Sequence, residues 1–160
     1  MKNAILFASI CVASGVLFVN FYNSLVDVKA WGNNIPESIA TARDYFKTSN
    51  PGNFFRIFSP VNQVLAILAL IVFWKAFPPV RIYLGVALAM YLIAEGLTFG
   101  YFYPRNEIMF KTAQLSDTEL LKKTVTEWST MNWIRTLIVL AGVCFSCLAL
   151  HKIYSFRTQI

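Results

Sequence analysis

Four apolar stretches dominate the chain: Ala4 to about Val26, about Ile57 to Phe77, Ile82 to Tyr103, and Trp128 to Leu150. The first carries no charge, and the others carry one each: Lys75, Glu95 and Arg135. Each reaches the roughly 20 residues needed to cross a hydrocarbon layer about 30 Å thick. Four such stretches in succession leave a water-soluble protein no soluble exterior. The pattern predicts an all-α fold, an integral membrane four-helix transmembrane bundle forming a single membrane domain over residues 1–160. The first stretch runs on past Gly15 through Leu17, Phe18 and Val19, too long for an ordinary signal-peptide core, so it is expected to remain as a span.

The segments between the spans have patterns of their own. Pro36 to Thr48 places Ile39, Ala42 and Phe46 at helical spacing. It predicts a short interfacial helix in the first long loop, lying on the membrane surface and ended by Asn50-Pro51-Gly52. Ser116 followed by Glu119 fits a capping box, from which a helix runs through Trp128 into the last span. A tight Pro78-Pro79-Val80-Arg81 turn joins the middle spans.

Composition supports the membrane reading and charge adds sidedness. The chain is 57% hydrophobic and 14% charged, against about 25% charged in an ordinary soluble domain. So much apolar surface excludes disorder, and three cysteines outside the loops exclude a disulfide scaffold. The short-turn side, with both termini, holds Lys2, Lys75, Arg81, Lys152 and Arg157 and no acid. The positive-inside rule then puts the termini in the cytoplasm and the long loops outside, in a cell (inner) membrane. Topology, rather than a nucleic-acid partner, explains the net charge of +6. The expected partners are the lipid bilayer, a lipophilic small-molecule ligand, and a second copy in a homo-oligomer.

Polar side chains within the spans are costly in hydrocarbon and therefore informative. Asn20, Asn23, Ser24 and Asp27 share one face of the first span. The second opens with Ser59, Asn62 and Gln63; the third carries Glu95, Thr98, Tyr101 and Tyr103; the fourth carries Trp128, Asn132 and Arg135. At 1.5 Å per residue, Asn20, Asn62 and Asn132 fall roughly 6–9 Å below the long-loop boundary, and Glu95 and Arg135 roughly 10–12 Å. Four helices thus contribute to one polar layer in the outer half. Two readings fit: Glu95 and Arg135 neutralise each other across the bundle, with the asparagines as interhelical glue, or the layer walls a ligand or catalytic pocket.

Other chemistry is sparse. Cys144-x-x-Cys147 lies deep in the last span with no basic neighbour to activate a thiol, so both are expected to be small packing residues. One histidine, His151, and no Cys/His cluster argue against a metal or haem site.

Trp128-x-x-x-Asn132-x-x-Arg135-Thr136, Pro104-x-Asn106, and the stretch Ala42 to Phe58 with its Asn50-Pro51 resemble the anthrone oxygenase-like family of small four-helix membrane proteins. The resemblance covers about Gly15 to Ala141. It implies oxidation of polyketide anthrones to anthraquinones by molecular oxygen, with no cofactor, neither metal nor flavin. Asn132 and Arg135 would hold the developing oxyanion, and Trp128, Tyr101 and Tyr103 would stack on a flat polycycle. Glu95, which the family pattern does not include, would be the base. Asn20, Asn23, Asn62, Gln63 and Asn106 complete the expected ligand-binding set. A non-enzymatic membrane protein that binds a lipid, a hydrophobic ligand or a membrane partner is the alternative.

Overall fold

The computed structural model describes residues 2–112 and 114–157, with the side chain of Arg157 outside the described set. Four long helices carry the fold, and each is long and apolar enough to cross a membrane. Helix α1 runs Lys2–Gly32, α3 Pro51–Ala76, α4 Pro78–Thr112 and α5 Thr118–Arg157. Helix α2, Glu37–Tyr45, is the short helix of the first connection. Helix α1 packs on α3 and α5, and α4 packs on α3 and α5. The bundle is therefore a closed up-down-up-down ring, with α5 returning to α1.

Local sequence sets the helix ends. Asn50 is extended and its side chain accepts the Gly52 N–H at 2.9 Å, with Pro51 in the first turn. A Cβ on Gly52 would lie 2.7 Å from that Asn50 oxygen, so the cap needs glycine there. Asn50-Pro51-Gly52 thus starts α3, six residues before the second apolar stretch. The α5 cap also differs from expectation. Asp117 accepts the Leu120 N–H at 3.2 Å, while the Ser116 hydroxyl turns to Gln114. Between α3 and α4 the chain breaks at Phe77 and re-enters through Pro78–Val80, with Arg81 Nε bonded to the Trp74 carbonyl.

All four long helices overrun the apolar stretches on the long-loop side. At 1.5 Å per residue α5 is about 60 Å long, so a rigid layer stands beyond the bilayer. The apolar face of α2, Ile39 and Ala42, is buried in that layer among Trp31, Met109, Leu121 and Trp128. Helix α2 is thus a roof on the bundle whose apolar side faces protein. Arg43 fastens it, donating from Nε to the Met109 carbonyl at 2.9 Å.

Below the roof the interior is layered. Ala13, Leu17, Ala87, Tyr91 and Val139 fill the middle, and Leu6, Phe73, Leu84 and Ile153 fill the termini side. A polar belt of Asn20, Asn23, Ser24, Asn62, Asn132, Arg135 and Thr136, all buried, separates the middle from the roof layer. Outward faces are apolar: Phe18, Ile71, Ile82 and Leu137 are each more than half exposed, and Trp74 and Trp133 also point out. Only hydrocarbon suits such an exterior, and the chain is a multi-pass membrane protein. Trp31 and Trp128, by contrast, are buried under the roof. The cysteines depart from expectation. Cys11, Cys144 and Cys147 all lie on the exposed surface; on α5 the inward face is taken by Val139, Ser146 and Ala149.

Helices α4 and α5 pack tightly at Gly142, where an added Cβ would meet the Tyr91 ring at 2.4 Å. The Tyr91 hydroxyl is tied to Ser146 at 3.2 Å, so the ring is not free to swing away. Gly142→Ala is expected to destabilise the detergent-solubilised protein by about 1–3 kcal/mol through overpacking. Thermal melting checks it, and an unchanged midpoint would mean that the two helices separate at little cost.

Candidate functional site

Asn132, fully buried on α5, is the hub of the polar belt. Its amide nitrogen donates to the Asn20 carbonyl at 3.1 Å and the Ser24 hydroxyl at 2.6 Å. Its amide oxygen accepts from Arg135 Nη2 at 2.5 Å. One side chain therefore joins α1 to α5 and aims the guanidinium. The Thr98 hydroxyl, itself bonded to the Ala94 carbonyl, receives Arg135 Nη1 at 3.4 Å. The guanidinium carbon lies 3.8 Å from the Phe102 ring centroid, with Phe55 at 5.2 Å and Trp128 at 5.9 Å. Such cation–π contact holds a charge without neutralising it.

Arg135 and Glu95 form no ion pair. The ion pairs among the described residues join other partners, and Glu95 sits beside Ser59. The expected neutralisation across the bundle is thus not a direct contact. Asn132, Thr98 and three aromatic rings take the guanidinium instead.

Above Arg135 opens a cavity of about 430 Å³, within the size range of small-molecule sites, about 300–1,000 Å³. Every helix contributes to its wall or rim. Trp31, Phe46, Phe55, Phe102, Tyr103, Phe110 and Trp128 supply aromatic surface; Arg43, Lys47, Arg56, Lys111 and Arg135 supply positive charge. Glu107 is the single acid of that lining and is paired with Lys111 at 2.8 Å. Trp128 is fixed in the wall because its indole N–H donates to Asn106 Oδ1 at 2.8 Å.

Wider π-helical turns shape this wall. They occur at Asn23–Asp27, Thr98–Phe102 and Ile108–Thr112, where the Val28 and Tyr103 N–H groups reach back five residues to Asn23 and Thr98. Such turns shift the residues that face inward. Each delivers part of the wall: Asn23, then Thr98 and Phe102, then Phe110 and Lys111.

Beneath the cavity, and sharing Phe55, Thr98 and Arg135 with it, lies a chamber of about 20 Å³ between all four long helices. The residues singled out from sequence divide between the two spaces. Asn20, Asn62, Gln63 and Glu95 line the chamber; Asn23, Tyr103, Asn106 and Trp128 line the cavity; Arg135 borders both. Asn132 stands behind Arg135 and lines neither. Tyr101 is turned away. Its hydroxyl donates to the Glu127 carbonyl at 3.3 Å, and its ring lies 3.4 Å from the Arg105 guanidinium, which pairs with Glu127. Sequence reasoning did not include Trp31, Phe102, Phe110, Arg56 or Lys111. Their signal was weak, because aromatic residues in apolar runs and bases in loops are ordinary there.

No curated protein and no solved structure matches the chain. A family model, described as anthrone oxygenase, matches residues 54–145, from the start of α3 to within α5. That span contains Phe55, Phe102, Trp128, Asn132 and Arg135, while the roof helix and α1 lie outside it. With more than half of its length matched, the chain belongs to the anthrone oxygenase family.

Proposed function

We propose that the protein is a cofactor-independent membrane oxygenase that binds a flat phenolic aromatic in the large cavity and oxidises it with dioxygen. The observation that carries the reading is Arg135: a buried guanidinium with only neutral hydrogen-bond partners, bordering an aromatic-walled cavity. A cation so placed favours a ligand that brings negative charge, such as the oxyanion of an enolised anthrone. Trp128 and Phe102 offer faces and edges to the rings. Loss of one benzylic proton leaves the electron pair on carbon, which bonds to dioxygen. The peroxide then takes up a proton, a second benzylic proton departs, and the O–O bond breaks. The products are a quinone carbonyl and one water.

Purified protein is expected to consume one dioxygen per phenolic anthrone, well above uncatalysed autoxidation, and to yield the anthraquinone. Oxygen uptake with quantified product tests this directly. No acceleration across several flat phenols would sink the oxygenase reading. The cationic rim of Arg43, Lys47, Arg56 and Lys111 favours the second reading, a non-enzymatic site for an anionic amphiphile. Tight binding without oxygen uptake would select it. In either case the proposed setting is a cell membrane with the termini cytoplasmic and the cavity on the far side.

A further inference from the structure

The small chamber has a property that the large cavity lacks. Three of its lining side chains each hold a buried polar atom without a hydrogen-bond partner: Asn20 Oδ1, Asn62 Oδ1 and Arg135 Nε. All three residues are at least nine-tenths buried, and they come from three different helices. Unpaired groups of this kind are costly inside a bundle and seldom coincide by accident. They match one another, being two acceptors and one N–H donor. One water carries the complementary set, two protons for the asparagine oxygens and a lone pair for the Arg135 N–H. The volume fits as well. About 20 Å³ exceeds the roughly 10–15 Å³ of probe-occupied space that one water requires. An apolar guest such as dioxygen would satisfy none of the three atoms.

We propose that this chamber is a built site for one water, and that the water links Glu95 to Arg135 and carries protons between Glu95 and the ligand cavity. Glu95 lines the chamber and not the cavity, so it reaches a bound phenol only through such a bridge. The charged or titratable side chains around the chamber are Glu95 and Tyr91 of α4 and Arg135 of α5. Helices α1 and α3 present neutral groups there, and the Tyr91 hydroxyl is held by Ser146.

The relay rests on the oxygenase reading, whereas the water site does not. In the relay, the water turns one proton from an asparagine oxygen to the Glu95 carboxylate, gives it up there and takes the benzylic proton in its place. The electron pair stays on the substrate carbon. Once dioxygen has bonded there, Glu95 returns the proton through the same water to the peroxide oxygen. The carboxylate ends as it began.

Two measurements on the full chain decide the matter. An experimental density map that resolves waters is expected to show one peak within hydrogen-bond distance of Asn20 Oδ1, Asn62 Oδ1 and Arg135 Nε. A closed chamber, with those atoms bonded to each other and no peak, overturns the site whether or not the protein is an enzyme. For the relay, Asn62→Leu and Glu95→Gln are expected to lower kcat about 100-fold, typical of lost acid–base catalysis. KM should stay unchanged and the parent's solvent deuterium isotope effect should disappear; Glu95→Asp should recover part of the rate. If the parent turns over and both variants keep its kcat and isotope effect, the relay is wrong. If the parent turns over no phenol at all, the oxygenase reading and its relay fall together, and the density map alone decides the water.

Discussion

Arg135→Met is expected to leave the detergent-solubilised protein at least as stable as the parent while weakening phenolate binding by roughly 100-fold. The stability half follows from the environment of the guanidinium. It is buried, has no carboxylate within ion-pair distance, and keeps its charge beside neutral amide, hydroxyl and aromatic partners. Desolvating an ion in this way costs several kcal/mol, and apolar replacement of buried ionic groups is often neutral or stabilising. Methionine reaches about as far and is flexible enough to fill the space. Against this, the Asn132 amide oxygen loses its donor, a cost of about 1–3 kcal/mol. The desolvation term is the larger. The binding half follows from charge-assisted hydrogen bonds worth about 1.5–3 kcal/mol each, and every 1.4 kcal/mol is tenfold in affinity. Thermal melting and a binding isotherm on one preparation check both halves. A large fall in melting temperature with unchanged affinity would make Arg135 a structural residue and remove the basis of the proposed function.

Asn132→Leu is expected to act in the opposite sense, costing about 3–5 kcal/mol of stability. An ordinary interhelical hydrogen bond in a membrane protein contributes only about 0.6 kcal/mol, so a pair of them would not reach that figure. Asn132 does more than bridge α1 and α5, because its oxygen is the close partner of a buried cation. Removing the partner of a buried charge costs about 3–5 kcal/mol, and leucine, though similar in size, can replace no part of it. The two substitutions should therefore be strongly non-additive. In the Asn132→Leu background, Arg135→Met should recover most of the lost stability, with a coupling energy of at least about 1.5 kcal/mol. Additive effects would show that Asn132 supports the fold independently of the guanidinium.

The spans and the polar belt were legible because hydropathy and helical rise report depth directly. Asn20, Asn62, Glu95 and Arg135 do meet around one chamber, as their matched depths suggested. The helix ends were less legible. Beyond the bilayer, α1 and α4 continue with one face on protein and one in water, and such turns look like loop to a hydropathy scan. Ser116 and Asp117 are both good capping residues, and only the geometry shows the Leu120 N–H going to Asp117. The cavity wall was hidden for two reasons. Phe102 and Phe110 sit in π-helical turns, where extrapolation at 3.6 residues per turn assigns the wrong face. Trp31 lies beyond the first apolar stretch, where no span was expected. Tyr101 fails from the same cause, since the turn that brings Phe102 inward leaves Tyr101 against Arg105.

The placement of the tryptophans has an optical consequence. Trp74 and Trp133 point out from the bundle, while Trp31 and Trp128 meet edge to face at 5.3 Å in the cavity wall. The chain therefore carries one native fluorophore in two environments, two copies exposed and two buried. A brominated lipid reaches the first pair by collision, and a conjugated guest under the roof reaches the second by energy transfer. Occupancy can thus be followed by intrinsic emission, without a label and without turnover.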